Sequence, residues 1–257
     1  MGYLDKIPYE MLQLILKKKL TFDEESLKSF KGYSETFRYL KNNMEENTYN
    51  DFKIELVSSE YVPPLKDIHI FVNEEEQKFQ VKHAKPQTCI TTEYDDTFTV
   101  PKKQLKSEIS FFVPLDIEPN ETKSLKIAYH TEAYKNALLG KKDSITLTCT
   151  RITDEILIEI YLLGNIRNSH RLAKCLDKDT RTGGWLEIIV EDGSGERMMI
   201  TEKELKLNRN YPIWGADAII WRVPSPKVGY EYTLFFTIEK KEIQSKEIIS
   251  TPLVSEI

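Results

Sequence analysis

The spacing of apolar side chains divides the chain into a helical-looking start and a long remainder with the period of β-strands. In the first 48 residues, apolar residues recur at intervals of three to four. Pro8 suits the first turn of one helix, and Asp23 is a good N-cap for a second. The apolar positions are Ile7, Met11, Leu12, Ile15 and Leu16, then Leu27, Phe30, Tyr33, Phe37, Leu40 and Met44. The pattern predicts a helical hairpin over residues 1–48.

From residue 50 the apolar residues alternate with polar ones, which is the pattern of half-buried strands. Four prolines separate the short runs, and no helical pattern intervenes, which favours antiparallel pairing over βαβ units. The runs include Phe52, Ile54 and Leu56, then Ile68, Ile70 and Val72, then Phe79 and Val81. We therefore predict a first β-unit over residues 50–117.

A second β-unit is predicted over residues 118–240, with a tail or edge strand at 241–257. A tight turn at Asp192–Gly195 indicates a hairpin. The alternating rows are Leu125 to Tyr129, Ile145 to Cys149, Ile156 to Leu162, Leu186 to Val190, 217–223 and 229–239. The predicted fold is mainly β, with an N-terminal helical hairpin followed by two antiparallel, immunoglobulin- or fibronectin-like sandwich units; a barrel would fit the second unit equally well.

Composition narrows the classes of function. The 257 residues carry 36 basic and 41 acidic side chains, a net charge of −5, so any nucleic-acid contact must be local. No apolar run approaches the roughly 18 residues of a membrane-spanning helix, and the first residues lack the pattern of a signal peptide. The three cysteines are odd in number and widely spaced, which favours a reducing compartment. We expect a soluble, cytoplasmic protein without a membrane partner.

Catalytic signatures are missing from the sequence. It contains no phosphate-binding lysine loop, paired-histidine zinc helix, serine elbow or paired cysteines. The four histidines are not within metal-ligand spacing of one another. We therefore expect a non-enzymatic protein with no cofactor and no metal.

The segment 164–184 differs from the rest of the sequence in its charge and its length. Its net charge is +3 in an acidic chain, and it is long for a connection within a β-domain. Arginine forks match phosphate and carboxylate oxygens, and a serine and a histidine can add donors. The candidate anion-binding residues are Arg167, Ser169, His170, Arg171, Lys174, Lys178 and Arg181. A nucleotide or a nucleic-acid phosphate would be a natural ligand.

Two other interpretations of this segment remain open. In the first, a short amphipathic helix packs Ile166, Leu172 and Cys175 on the sheet while its charges stay solvated. In the second, Cys175 is an enzymatic nucleophile with His170 as its base and Asp179 orienting that base. A helix would place Cys175 and His170 on different faces, which counts against the enzyme.

Aromatic residues crowd the C-terminal hairpin. Tyr230, Tyr232 and Phe236 alternate and so belong to a core face. Trp214, in the preceding turn, is the best candidate for an exposed anchor that contacts a protein partner.

Two stretches resemble known families. Residues 221–232, WRVPSPKVGYEY, resemble the closing hairpin of β-rich accessory domains in bacterial signalling and antiviral-defence proteins. That resemblance implies a sensor or scaffold whose effector is a separate polypeptide. Ile7, Pro8 and the apolar residues that follow, with Leu27, Phe37 and Leu40, are similar to an F-box. This alternative implies a ubiquitin-ligase adaptor with a β-sandwich that recognises the substrate.

Together these observations predict a binding, sensing or scaffolding protein. Its expected ligand is a protein partner, with an anionic group at segment 164–184 as the more specific hypothesis. The pattern does not indicate an oligomeric state.

Overall fold

The computed structural model shows a chain that is mainly β. It describes residues 11–58, 63–77, 87–93, 102–169, 172–177, 185–189, 212–214 and 217–241. Within these ranges, the α-helices are α1 (Glu24–Ser29) and α2 (Lys135–Leu138), and Leu65–Asp67 forms a 3-10 turn. None of the helices in the described ranges combines the length and the apolar composition needed to cross a bilayer.

The strands of the described residues are numbered in chain order. They are β1 Met11–Phe22, β2 Gly32–Asn42, β3 Tyr49–Ser58, β4 His69–Val72, β5 Glu75–Glu76, β6 Gln87–Glu93, β7 Lys102–Ile117, β8 Thr122–Thr131, β9 Asp143–Thr148, β10 Thr153–Leu162, β11 Ile166–Arg167, β12 Leu172–Asp177, β13 Trp185–Ile189, β14 Ile213–Trp214, β15 Ala218–Pro224, β16 Tyr230–Phe236 and β17 Glu239–Lys240.

Eight of these strands form one large mixed sheet, in the order β14-β15-β10-β1-β2-β8-β4-β5. Near its centre, β1 pairs with β10 in parallel and with β2 antiparallel, so Leu20 lies between Ile160 and Ser34. Residues opposite one another in a sheet share a face. One such row across six strands is Ile70, Ile127, Thr36, Lys18, Ile158 and Trp221. The row is apolar at both ends and polar in the middle.

Two apolar cores lie on this one face of the large sheet. Core 1 covers the β10 end, where the sheet β13-β12-β16-β9 packs against it. Core 2 covers the β8 end, where the sheet β3-β7-β6 packs against it. The β1 strand contributes to both. Core 1 includes Leu16, Leu20, Phe22, Ile158, Trp221 and Leu234, and core 2 includes Met11, Leu40, Phe52, Ile127 and Phe111.

The predicted N-terminal helical hairpin is wrong. Residues 11–42 form β1, α1 and β2, and β1 pairs with β2 antiparallel. The register shifts between Gln13 and Ile15, and this bulge adds one residue to the alternation of β1. The inserted residue gave an alternating strand the three-to-four spacing of a helix. The helices that an F-box requires are therefore not present in residues 11–48, where only the six residues of α1 are helical.

The predicted pair of antiparallel immunoglobulin-like units is also wrong. The large sheet is mixed, and it takes strands from each of the three segments 1–48, 50–117 and 118–240. Long-range pairing thus assembled strands that the sequence pattern had assigned to separate units. The mainly β character predicted for residues 50–240 is confirmed for those of them that the structure describes.

Candidate functional site

A polar strip runs along β1 and β2 between the two cores, on the buried face of the large sheet. It consists of Gln13 and Lys18 from β1, with Ser34, Thr36 and Arg38 from β2. Arg151 and Thr153, where the chain enters β10, complete it. We call these seven residues the cationic seam.

Lys18 is the most enclosed cation of the seam, with only 9% of its surface exposed. Its Nζ donates to Ser34 Oγ at 2.7 Å and to Thr36 Oγ1 at 3.0 Å. The same atom lies 5.3 Å from the centre of the Tyr129 ring. Neutral oxygens and a π face therefore hold this ammonium group, and no carboxylate of the described residues contacts it.

A chain of hydrogen bonds connects the two arginines of the seam. Arg38 Nη1 donates to Gln13 Oε1 at 2.5 Å, and Gln13 Nε2 donates to Thr153 Oγ1 at 3.1 Å. Thr153 Oγ1 in turn donates to the Arg151 carbonyl at 2.9 Å. Since Gln13 is almost completely buried, its amide fixes the position of Arg38 relative to the start of β10.

Both guanidinium groups lie against one aromatic ring. The guanidinium carbons of Arg38 and Arg151 are 5.4 Å and 5.2 Å from the centre of the buried Phe52 ring, which β3 supplies from core 2. Burial lowers the pKa of Arg38 from its usual value to about 10, and the neighbouring positive charge of Arg151 adds to the effect. Two cations that repel each other are thus held around the same ring.

Each arginine also has a buried donor without a protein acceptor. These atoms are Arg38 Nε and Arg151 Nη1. A buried donor without a partner costs free energy, and so does a buried charge without a counter-ion. Within the described part of the chain, no carboxylate pairs with Lys18, Arg38 or Arg151. Arg38 and Arg151 are partly exposed, so the seam reaches solvent at their end.

The structure places only part of the predicted anion site. Arg167 is exposed on β11, opposite Glu239 of β17. Ser169 Oγ donates to Glu239 Oε1 at 2.6 Å and lies 2.5 Å from Thr237 Oγ1. In this arrangement the hydroxyl proton of Ser169 serves a carboxylate and is not free for an anion. Arg167 and Ser169 are therefore brought to the same acidic residue.

The other predicted residues cannot be assigned contacts. His170, Arg171, Lys178 and Arg181, together with Asp179 of the thiol-enzyme alternative, lie outside the described residues. Lys174 and Cys175 lie in β12 and Trp214 lies in β14, and the structure describes only the backbone of these three residues. Described positions 166–167 and 172–177 are strands, so the amphipathic-helix interpretation is wrong there.

None of the seven residues of the seam was predicted from the sequence as a site residue. A signal was present in β2, where Ser34, Thr36 and Arg38 alternate with Tyr33 and Phe37. The sequence prediction assigned these positions to a helix, whereas the structure makes them a strand and buries its polar side.

Other features of the described residues give weaker indications of a functional site. No group of three or more histidine, cysteine or acidic side chains there is arranged to hold a metal. A groove of about 440 Å³ lies between α1, α2 and β17, lined mainly by Leu27, Phe30, Leu138, Leu139 and Ile238 with a few charged residues, and it shares no residue with the seam.

Comparisons with known proteins yield no family. No family model matches the chain, and neither does any curated protein. Among solved structures, a candidate nutrient binding protein from Legionella pneumophila matches at 9% identity with a TM-score of 0.38, over 89% of this chain and 67% of that one. A candidate protease from Parabacteroides distasonis matches at 8% identity with a TM-score of 0.37, over 89% of this chain and 40% of that one. Likeness at this level carries no argument about function.

Proposed function

We propose that the chain is a non-enzymatic binding protein that holds an anionic group of its ligand in the cationic seam. The observation that supports this best is the pair of guanidinium groups around Phe52, each with a buried donor that no protein group accepts. An anion between them would accept those donors and offset the repulsion between Arg38 and Arg151.

The surroundings of the seam favour binding over turnover. The described groups in contact with its cations are hydroxyls, an amide and aromatic rings. None of these is a histidine or a carboxylate that would serve as a general base at neutral pH. The seam thus offers charge and hydrogen bonds in a desolvated setting, which is the requirement for recognising an anion.

Variants of single arginines test this proposal. We expect isothermal titration calorimetry at low ionic strength to detect binding of phosphate, sulfate or a carboxylate to the wild-type chain. Arg38→Gln and Arg151→Gln should each weaken that binding by about tenfold or more, because each removes one of two charge-assisted contacts.

Arg222→Gln is the matched control, since Arg222 is an exposed arginine of β15 that pairs with Glu155 outside the seam. The affinity of the Arg222→Gln variant for anions should equal that of the wild type. Equal weakening in all three variants would mean that the anions respond to overall charge, and the proposal would fail.

A protein partner and a role in bacterial signalling or antiviral defence remain proposals that rest on the sequence of the C-terminal hairpin. The exposed side chains of Leu139 and Leu163 offer apolar contacts for such a partner. Co-purification from the native host, with wild type and Arg38→Gln compared, would show whether a partner binds and whether it requires the seam.

A further inference from the structure

The balance of charge in the seam identifies the class of anion. Three cations, Lys18, Arg38 and Arg151, lie along the polar strip, and no carboxylate of the described residues contacts them. A singly charged carboxylate would leave one of the two guanidinium groups at Phe52 without a counter-charge. A doubly charged group would neutralise both of them.

The free donors also come from two separate groups. One is Arg38 Nε, on the residue that begins the hydrogen-bond chain through Gln13 and Thr153, and the other is Arg151 Nη1, on the residue whose carbonyl ends it. A tetrahedral anion presents oxygens in several directions and can accept from two separate guanidinium groups. A phosphoryl group has three such oxygens and carries close to two negative charges near neutral pH.

We propose that the ligand of the cationic seam carries a phosphoryl dianion, either as inorganic phosphate or as a phosphate monoester. This inference rests on the proposed function and narrows it to one chemical class. The phosphoryl group binds at the partly exposed end of the seam, between Arg38 and Arg151. For a monoester, the rest of the ligand extends from that end towards solvent.

We expect the pH dependence of binding to follow the second ionisation of the ligand. The titratable groups that face the seam are Lys18, Arg38, Arg151, Tyr129 and Cys149, whose Sγ donates to the Arg151 carbonyl at 3.2 Å. With a pKa of about 10, Arg38 stays protonated between about pH 5 and pH 7.5. Burial raises the pKa of the Cys149 thiol, so this group stays neutral over the same range. A phosphate monoester, in contrast, gains its second charge near pH 6.

Calorimetry with four probes at about pH 5 and about pH 7.5 tests the inference on the full chain. Phenyl phosphate and inorganic phosphate should bind about tenfold more tightly at the higher pH, in step with their second ionisation. Sulfate is doubly charged at both values and should change by less than about twofold. Benzoate should bind about tenfold more weakly than phenyl phosphate at the higher pH.

The two phosphate probes distinguish the sources of the group. Tighter binding of phenyl phosphate assigns the seam to monoesters, and tighter binding of inorganic phosphate assigns it to the free ion. The ³¹P resonance of the bound probe gives a second measurement, because preference for the dianion shifts its titration to lower pH. That shift should disappear in Arg151→Gln and persist in Arg222→Gln.

The outcomes separate the two proposals. If benzoate binds as tightly as phenyl phosphate and depends on Arg38 and Arg151, the phosphoryl inference is overturned and the anion-binding function stands. The phosphoryl inference is also overturned, and the anion-binding function stands, if phosphate binds with identical affinity at both pH values and this binding depends on Arg38 and Arg151. If none of the four probes binds in an arginine-dependent way, both proposals are overturned.

Discussion

Arg38 shows how a single residue trades stability for a charged site. Burial disfavours the charged form of its guanidinium and lowers the pKa to about 10. At about 1.4 kcal/mol per pKa unit, this corresponds to a cost of about 3 kcal/mol to the folded state. A side chain retained at such a cost is better explained by ligand binding than by folding.

We therefore predict that Arg38→Gln stabilises the unliganded protein while it weakens anion binding. The glutamine amide can still donate towards Gln13, while the contact with Phe52 is lost. The net gain should be about 1–2 kcal/mol, or a rise in Tm of about 2–6 °C. Differential scanning calorimetry of the two proteins without ligand measures this rise in Tm.

The pH dependence of this gain has a defined sign. Because burial depresses the pKa of a basic group, the cost is fully present below about pH 10 and disappears as pH rises from there towards the ordinary pKa of a guanidinium. The gain from Arg38→Gln should thus be the same at any pH between about 5 and 8. A lower Tm for Arg38→Gln would show that the seam contributes to folding instead.

Three consecutive lysines illustrate what the sequence could not reveal about single residues. Lys17, Lys18 and Lys19 look alike in the sequence and suggest a solvated face. In the structure, Lys17 and Lys19 pair with Glu159 and Glu35 on the outer face, and Lys18 is buried among hydroxyls. Only the register between β1 and β2 decides which lysine enters the seam.

At the scale of elements, alternation indicated strands after residue 50, but helical spacing was wrongly inferred for the segment that forms β1 and β2. In β2 the aromatic side chains face outwards, where Phe37 lies 5.8 Å from both Lys17 Nζ and Lys126 Nζ. Lys126 Nζ also lies 3.9 Å from the centre of the Phe71 ring. Cation–π contacts with half-buried rings thus stabilise the outer face, and the polar residues turn inwards to the seam. Local sequence rules therefore do not locate the seam.

Gly32, the first residue of β2, leaves room for an aromatic ring from β1. A Cβ at this position would lie 2.4 Å from Phe22 Cε1 and 2.8 Å from Phe22 Cδ1. The ring cannot move freely, because it is buried between Tyr134 and Phe236 at centre-to-centre distances of 6.2 Å and 6.0 Å. Gly32→Ala should therefore lower the free energy of unfolding by about 1–3 kcal/mol.

Urea denaturation measures this loss, and Phe22→Leu provides the matched background. With the smaller side chain, the added Cβ has space, so Gly32→Ala should cost less than half as much in that background. Equal costs in both backgrounds would place the strain somewhere other than the Phe22 ring.

The first helix depends on one capping residue. The Asp23 carboxylate accepts from Ser26 N at 2.8 Å, and Ser26 Oγ accepts from Asp23 N at 3.1 Å. These hydrogen bonds, that from the Ser26 N–H first, lower the pKa of Asp23 below 3.8. Since the folded pKa is depressed, the stabilisation is present above about pH 4 and is lost as pH falls through the folded pKa.

Asp23→Ala should destabilise the protein by about 1 kcal/mol at neutral pH, and the difference should shrink below about pH 4. Thermal unfolding from about pH 2.5 to pH 7 measures both effects. Asp23→Asn keeps the acceptor oxygen without the charge, so its Tm should stay close to that of the wild type at neutral pH. A pH-independent cost of Asp23→Ala would contradict this account.

At the scale of the whole molecule, the sequence could not predict which strands become neighbours. The pairing of β1 with β10 joins residues 140 positions apart, as in the hydrogen bond from Gln13 to Thr153. No local pattern encodes such a partner, because alternation specifies a face and not a neighbour. The seam arises at this junction, so it was as unpredictable as the pairing itself.

The shared strand makes a prediction about how the molecule unfolds. Because β1 supplies Met11 to core 2 and Leu16 to core 1, loss of one core removes a packing surface from the other. We expect Phe111→Ala in core 2 to cost about 3–5 kcal/mol and to lower amide protection in β10 and β16 by the same free energy as in β3. Native-state hydrogen exchange measures this, with Leu234→Ala in core 1 as the reciprocal variant. Protection that falls only around the mutated core would show that the two cores unfold separately and that the seam joins independent units.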